Sequence, residues 1–247
     1  ERVIGEYLDY VADVGAASLG WQGGEPTLAG RGFFERVVDI EARRARSGTT
    51  ISNDLQTHGL ALDDDWARLL AERRFLVGVS LDGPAELHDR ARVDRAGRGT
   101  HARAMRGVEA LARRGVETNA LGVVGPHNVA APRAVFDFYA AAGFDHVQLV
   151  PQMAFAATEP GAPPRFAVDA GAYGRFLVEL FEAWWMDGFP RIGVAAFDSL
   201  VLAALGRDGG LCLHARECDG GLVIERDGAV YPCDFDIHDA HRLGVRG

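Results

Sequence analysis

The chain of 247 residues is long enough to bury a substantial core, and its 48% hydrophobic and 25% charged content is ordinary for a globular protein. A formal net charge of −9 speaks against a broad basic face for nucleic acid. No apolar run reaches bilayer length and the N-terminus shows no basic-then-apolar pattern, so the expectation is a soluble cytoplasmic protein without a membrane partner.

Taken in chain order, the periodicity alternates between two kinds of segment. Glu1 to Gly15 carries Ile4, Leu8 and Val11 at helical spacing, and a short apolar stretch follows, ending at Trp21 before a Gly-Gly turn. Phe33 to Arg46 is amphipathic, and its Arg43, Arg44 and Arg46 read as a solvated flank. Thr49 to Leu55 reads as a strand, and Asp63 to Arg74 as a helix with acidic residues at its favourable N-terminal end. The pattern then repeats with a strand from Phe75 to Leu81, a helix from His101 to Arg114, a strand from Glu117 to Val124 and a helix from Ala131 to Ala142. A strand from His146 to Val150 leads to a Pro- and Ala-rich loop, Ala154 to Pro164, and then to a helix from Gly171 to Met186. Ile192 to Phe197 reads as a weaker last strand before a short helix through Leu205.

Such alternation predicts βαβ crossovers and a mostly parallel sheet, curled into a partial barrel. After Gly206 the character changes. Gly-Gly and three cysteines take over, and Gly221 to Glu225 and Ala229 to Tyr231 flank Asp227-Gly228, the signature of a two-residue hairpin turn. The division expected is 1–206 and 207–247.

In parallel α/β folds chemistry sits where strands run into helices. One strand end reads Trp21-Gln22-Gly23-Gly24-Glu25-Pro26, where paired glycines allow close backbone approach to a ligand, although the same residues also make a plain turn. Another reads Gln56-Thr57-His58-Gly59. A third reads Val79-Ser80-Leu81-Asp82-Gly83-Pro84, with His88-Asp89 and Arg92 downstream. A serine hydroxyl and an arginine fork suit the carboxylate of an amino-acid-like ligand. All 26 basic residues are arginine, which excludes Schiff-base chemistry through a lysine. Three crowded cysteines, Cys212, Cys218 and Cys233, argue for a metal or redox site rather than a disulfide framework. Iron–sulfur ligation, a structural zinc completed by His214 or His238, and inert buried thiols all remain open on spacing alone.

These motifs, met in this order, resemble the radical S-adenosylmethionine (SAM) enzymes, specifically the anaerobic sulfatase-maturating type. The resemblance rests on Trp21 to Leu28, Leu55-Gln56-Thr57, Val79 to Pro84, His88-Asp89 through Arg92, and Cys212 to Gly244 with Tyr231-Pro232-Cys233-Asp234 and Arg242-Leu243-Gly244. It implies a partial (β/α)6 radical SAM barrel lacking its first strand, followed by the start of a cysteine-rich SPASM module with a β-hairpin. It also implies oxidation of a peptidyl cysteine or serine of a sulfatase to Cα-formylglycine through a 5′-deoxyadenosyl radical, with S-adenosylmethionine and [4Fe-4S] clusters as cofactors and a reductase or flavodoxin-type protein as electron donor. By position, Gly23, Gly24 and Glu25 are expected to hold the SAM amino group, Ser80 and Arg92 its carboxylate, and Met153 its adenosyl group. Gln22 is expected to face the substrate peptide, Cys212, Cys218 and Cys233 to ligate an auxiliary cluster, and Asp234 to act as general base.

Three departures from the family pattern stand out. The Cys-x3-Cys-x2-Cys loop, which the family carries on a strand preceding the position of Glu1, is absent, and so are the further SPASM cysteines beyond Gly247. His58 stands where the family usually has asparagine. The expectation is a core truncated at both ends and inactive by itself. The alternatives are another radical SAM/SPASM enzyme that modifies ribosomal peptides, or a non-catalytic zinc-bearing scaffold that binds peptides.

Overall fold

The computed structural model describes residues 1–153, 167–185, 191–215, 217, 221–234, 237 and 242–243. The chain divides into two compact units, Glu1–Ala195 and Ala196–Gly247.

The first unit is built on six parallel strands in strict sequence order: β1 (Ala16–Trp21), β2 (Thr50–Thr57), β3 (Leu76–Ser80), β4 (Thr118–Val124), β5 (His146–Pro151) and β6 (Gly193–Val194). Helices α1 (Arg2–Tyr10), α2 (Arg31–Arg44), α3 (Asp64–Glu72), α4 (Ala85–Ala91), α5 (His101–Arg113), α6 (Pro132–Ala142) and α7 (Ala170–Trp185) intervene. The α/β alternation read from the sequence is present throughout. α3 illustrates the local logic: the Asp63 side chain accepts from Trp66 N–H at 2.9 Å, Asp64 and Asp65 occupy the first turn, and Trp66, Ala67, Leu69 and Leu70 form one buried stripe.

Strand periodicity sorts the residues onto two faces. Ala17, Leu55, Val77, Val79, Ala120, Val124, Val147 and Leu149 are buried on the face that carries the helices. Ile4, Leu8, Val37 and Ile40 from α1 and α2 pack with Ala17, and Leu19 and Trp21 join them. Phe34 is fully buried and meets Trp21, Trp66 and Phe75 edge-on at 5.6–6.1 Å between centroids. The opposite face is polar. The parallel register sets Gln56, Gly78 and Asn119 side by side in one row and Ser80, Leu121 and Gln148 in another. Gly78 is a spacing device, since a Cβ there would lie 2.1 Å from Gln56 Oε1. A parallel sheet usually buries both faces. Here the face opposite the first unit's described helices carries polar side chains suited to water or a ligand.

Several expectations need correcting. The last strand is only two residues long, because the helix α8 (Ala195–Ala204) already begins at Ala195. α4 and the 3-10 turn Pro26–Ala29 are additional elements, too short for a periodic signal. Arg44 and Arg46 pair with Asp9 and Asp13 at 2.9 and 2.8 Å, exposed contacts of small energetic weight. The Pro- and Ala-rich loop, Ala154 to Pro164, lies wholly outside the described residues, as does Met186. No helix among the described residues is long and apolar enough to cross a membrane.

The second unit takes in α8, so its start precedes the composition change after Gly206. It holds the antiparallel pair β7 (Val223–Ile224) and β8 (Val230–Tyr231). The hairpin is present, but its loop has three residues: Glu225 N–H donates to Ala229 O, and Gly228 N–H donates to Glu225 O. Gly228, at φ 84°, supplies the left-handed residue that follows such a turn.

Candidate active site

The carboxyl ends of β1, β2 and β3 lie side by side, which fixes the starting point of each loop at the polar mouth. Gln22 leaves β1 exposed. Gly23 and Gly24 follow at φ 85° and 52°, and no heavy atom lies within 4 Å of where their Cβ atoms would be. Two consecutive left-handed residues are easy only for glycine. The result is bare backbone facing open space.

Glu25 ties this loop to the end of β2. Its Oε1 accepts from Thr27 N–H at 3.1 Å, from the Thr27 hydroxyl at 2.5 Å and from the Thr57 hydroxyl at 2.7 Å, while Oε2 accepts from His58 N–H at 2.9 Å. Burial opposes ionisation of Glu25, but these hydrogen bonds outweigh it and hold the carboxyl below its usual range. His58 Nδ1 lies 3.1 Å from Oε2 yet accepts from Leu60 N–H at 3.1 Å. Burial and the charges of Arg103 and Arg92 outweigh Glu25 and lower the pKa of His58, so the imidazole is neutral and no ion pair forms.

Beneath the loop, Trp21 Nε1–H donates to Asn53 Oδ1 at 2.8 Å, and Asn53 Nδ2 donates to both Glu41 oxygens at 3.1 Å. The buried polar groups under the mouth are thereby paired.

The third strand end supplies a second anchored charge. Asp82 is 2% exposed, and Arg92 donates to it through Nε at 2.7 Å and an NH2 group at 3.0 Å. Val123 N–H donates to the same carboxylate at 2.9 Å, and His127 Nε2 lies 3.3 Å away, out of line for a full hydrogen bond. Burial works against the Asp82 charge, yet the His127, Arg92 and Val123 contacts outweigh it and lower its carboxyl to about 2. Arg92 remains 27% exposed with further N–H groups beyond those given to Asp82. Ser80, two residues before Asp82, accepts from Gln56 Nε2 at 3.2 Å. Asn128 closes the β4 end, donating to Asp82 O and Val123 O and accepting from Gly125 N–H, each at 2.9 Å.

The structure thus sets Gly23, Gly24 and Glu25 at the carboxyl end of β1 and Ser80 at that of β3, either side of β2, with Arg92 tied to the β3 end through Asp82. Met153, 47% exposed, follows β5 two residues after Pro151. Cys212 opens a 3-10 turn (Cys212–His214), and Cys233 follows β8 with its Sγ 3.5 Å from Asp234 Oδ1. Cys218 lies outside the described residues. Thr27, Thr57, His127 and Asn128 are additional members of the network. The Gly125-Pro126-His127-Asn128 strand end carries the same polar signature as the other three, and could have been found by it. At the opposite, amino-terminal end of the sheet is a separate cavity of about 1110 Å³, lined by Leu76, Thr118, His146 and Arg191 among others.

An amino-acid-like cofactor fits this mouth: open glycine backbone at one side, an arginine and a serine at another. Iron–sulfur clusters are characteristic of radical SAM enzymes, and the thiolates this chain offers one are Cys212 and Cys233, with Cys218 outside the described residues. The chain has three cysteines, all in the second unit, and the described residues contain no group of three or more metal-capable side chains.

Comparison with known proteins identifies the family and the fold. A model of the Radical SAM superfamily matches residues 1–139. The cysteine-type anaerobic sulfatase-maturating enzyme of Clostridium perfringens is 34% identical over 232 residues, covering 93% of this chain and 62% of that protein. The serine-type enzyme of Klebsiella aerogenes is 37% identical over 227 residues, covering 91% and 55%. The structure of histidine-tagged anSMEcpe with bound AdoMet superposes with a TM-score of 0.90 at 33% identity, over 99% of this chain and 65% of that one. Native anSMEcpe with bound AdoMet and Kp18Cys peptide gives 0.86 at 32%, over 99% and 68%. This chain therefore spans roughly three fifths of the curated relatives it matches.

Proposed function

The chain belongs to the radical SAM superfamily, and from that premise we propose that it is the cofactor-binding core of an anaerobic sulfatase-maturating enzyme, oxidising a peptidyl cysteine or serine to Cα-formylglycine. The observation that carries this reading is the presence of two preformed features on either side of the β2 end, the Gly23-Gly24 loop after β1, clamped by Glu25 to Thr57 and His58, and the Asp82-anchored Arg92 after β3. Similarity to maturases over more than nine tenths of the chain supports it.

S-adenosylmethionine, when bound, supplies the carbon radical that abstracts hydrogen from the substrate's β-carbon. This chain's own residues bind and orient. The backbone carbonyls of Gly23 and Gly24 accept from the ammonium of the methionine part, and the Glu25 charge, already fixed by four donors, complements it. Ser80 and the outer N–H groups of Arg92 take the carboxylate. Met153 packs on the adenosyl group and Gln22 meets the peptide. Asp234 accepts the proton released by the substrate side chain. Cys212, Cys218 and Cys233 are ligands toward an auxiliary cluster in a SPASM-type second unit, and no step is derived through it. A sulfatase polypeptide is the substrate, and a reductase or flavodoxin-type protein the electron donor.

The test uses protein expressed from its whole native reading frame and reconstituted anaerobically with iron, sulfide and SAM. Peptides with a Cys-x-Pro-x-Arg core are expected to acquire a hydrazide-reactive aldehyde, whereas scrambled peptides stay unchanged. Thioether cross-links in place of the aldehyde contradict the maturase assignment and favour a ribosomal-peptide-modifying enzyme.

A further inference from the structure

Arg92 stands just past the end of α4 with extended backbone, at φ −108° and ψ 93°, where no helix geometry dictates its rotamer. Long arginine side chains are mobile unless something holds them. Here the restraint is a closed ring of hydrogen bonds. Asp82 takes two bonds from the guanidinium, and its backbone N–H donates to His88 Nδ1 at 3.2 Å. Because that nitrogen accepts, the imidazole proton sits on Nε2, which faces the Thr100 hydroxyl at 3.1 Å. That hydroxyl in turn donates to the carbonyl of Arg92 at 2.9 Å. The ring therefore begins at Asp82 and returns to Arg92, holding the arginine at both its head and its main chain.

The surroundings are built for this ring. His88 is 1% exposed and Thr100 is likewise buried, so water does not compete for the links. The segment from Arg92 to Thr100 folds back through a bridge between Val93 and Gly99, which brings Thr100 over Arg92. Asp89 accepts from His101 N–H at 2.9 Å, and a Cβ at Gly99 would lie 2.3 Å or less from its carboxyl group. Burial, more than any charge, depresses His88 to about 4, which keeps it in the single neutral form the ring requires.

We propose that His88 and Thr100 are positioning residues that lock Arg92, through this ring, in the orientation that presents its outer N–H groups to the carboxylate of bound S-adenosylmethionine. The ligand half of this inference rests on the function proposed above, whereas the locking of Arg92 does not.

The experiment compares the 247-residue chain with Thr100→Val, which keeps the shape and loses the hydroxyl, and with Thr100→Ser, which keeps the hydroxyl. One readout is the Arg92 Nε–H resonance in ¹⁵N-labelled protein, assigned by its loss in Arg92→Lys. The other is the calorimetric affinity for SAM relative to decarboxylated SAM. Native protein and Thr100→Ser are expected to show the resonance and to prefer SAM about tenfold or more, as suits a charge-assisted contact. Thr100→Val is expected to lose the resonance and bring the preference toward one, with affinity for the decarboxylated compound unchanged. His88→Gln breaks the ring at another link and should behave likewise. A folded Thr100→Val or His88→Gln that keeps both resonance and preference overturns the positioning role. Native protein that shows the ring-dependent resonance but no preference overturns the carboxylate assignment and leaves the lock standing.

Discussion

The two faces of the first unit's sheet are made from the same strands yet obey different rules. On the helix-backed face, Leu55, Val77, Val79 and Ala120 are fully buried and aromatic rings meet edge-on, so removal of apolar area from water dominates. On the other, Gln56, Ser80 and Asn119 line a surface kept open by Gly78, and Asp82 anchors its upper rim. The first face holds the fold. The second is shaped for a ligand and is stabilised chiefly by the pairing of its buried polar groups. The difference teaches that mutations a single residue apart along one strand should separate into stability and binding phenotypes.

The sharpest way to break that separation is Phe34→Ala. It leaves a large cavity among Trp21, Trp66 and Phe75 and is expected to cost roughly 3–5 kcal/mol in denaturant unfolding. A loss below about 1 kcal/mol contradicts the helix-backed face as the main source of stability. Asp82→Asn comes next. It strips the partner charge from Arg92 and should lower stability by about 2 kcal/mol, because a part-exposed guanidinium is left without its buried carboxylate. Thermal melts of the two variants compare the faces directly.

Acid sharpens the comparison further. The unfolded Asp82 carboxyl titrates near 3.8 and the folded one at about 2, so its stabilisation is full above about pH 4 and is lost as the pH falls toward 2. The loss amounts to roughly 2 kcal/mol. An earlier decline precedes it. Burial lowers the folded pKa of His58, His88 and His101, so the unfolded chain binds protons first and stability starts to fall below pH 6.5. A melting temperature flat from about pH 7 to about 4.5 contradicts this linkage, whereas Asp82→Asn should abolish only the acid-most part of the decline.

Much of the fold was legible because its elements are long and periodic. α2, α3, α5, α6 and the strands β2 to β5 each repeat their apolar spacing often enough to be read. α4 has seven residues and follows a proline, too short for a stripe, and β6 gives way to α8 after two residues. At the site, Gly23-Gly24-Glu25, Ser80 and Arg92 could be picked out because polar residues at parallel strand ends are conspicuous. The roles of their partners could not. Thr57 meets Glu25 across 32 positions, and Val123 and Asn128 meet Asp82 across 41 and 46, separations that no local pattern encodes. The hairpin loop in the second unit gained a residue for a related reason, since Asp-Gly suits both a two-residue turn and the end of a three-residue one.

The most direct test of the central claim is a titration of ¹⁵N-labelled chain with S-adenosylmethionine, followed amide by amide. Shifts are expected at Gly23, Gly24, His58, Leu81 and Arg92, at the carboxyl ends of the strands. Shifts confined to Thr118, His146 and Arg191, around the cavity at the opposite end, or no shifts at saturating ligand, would contradict it.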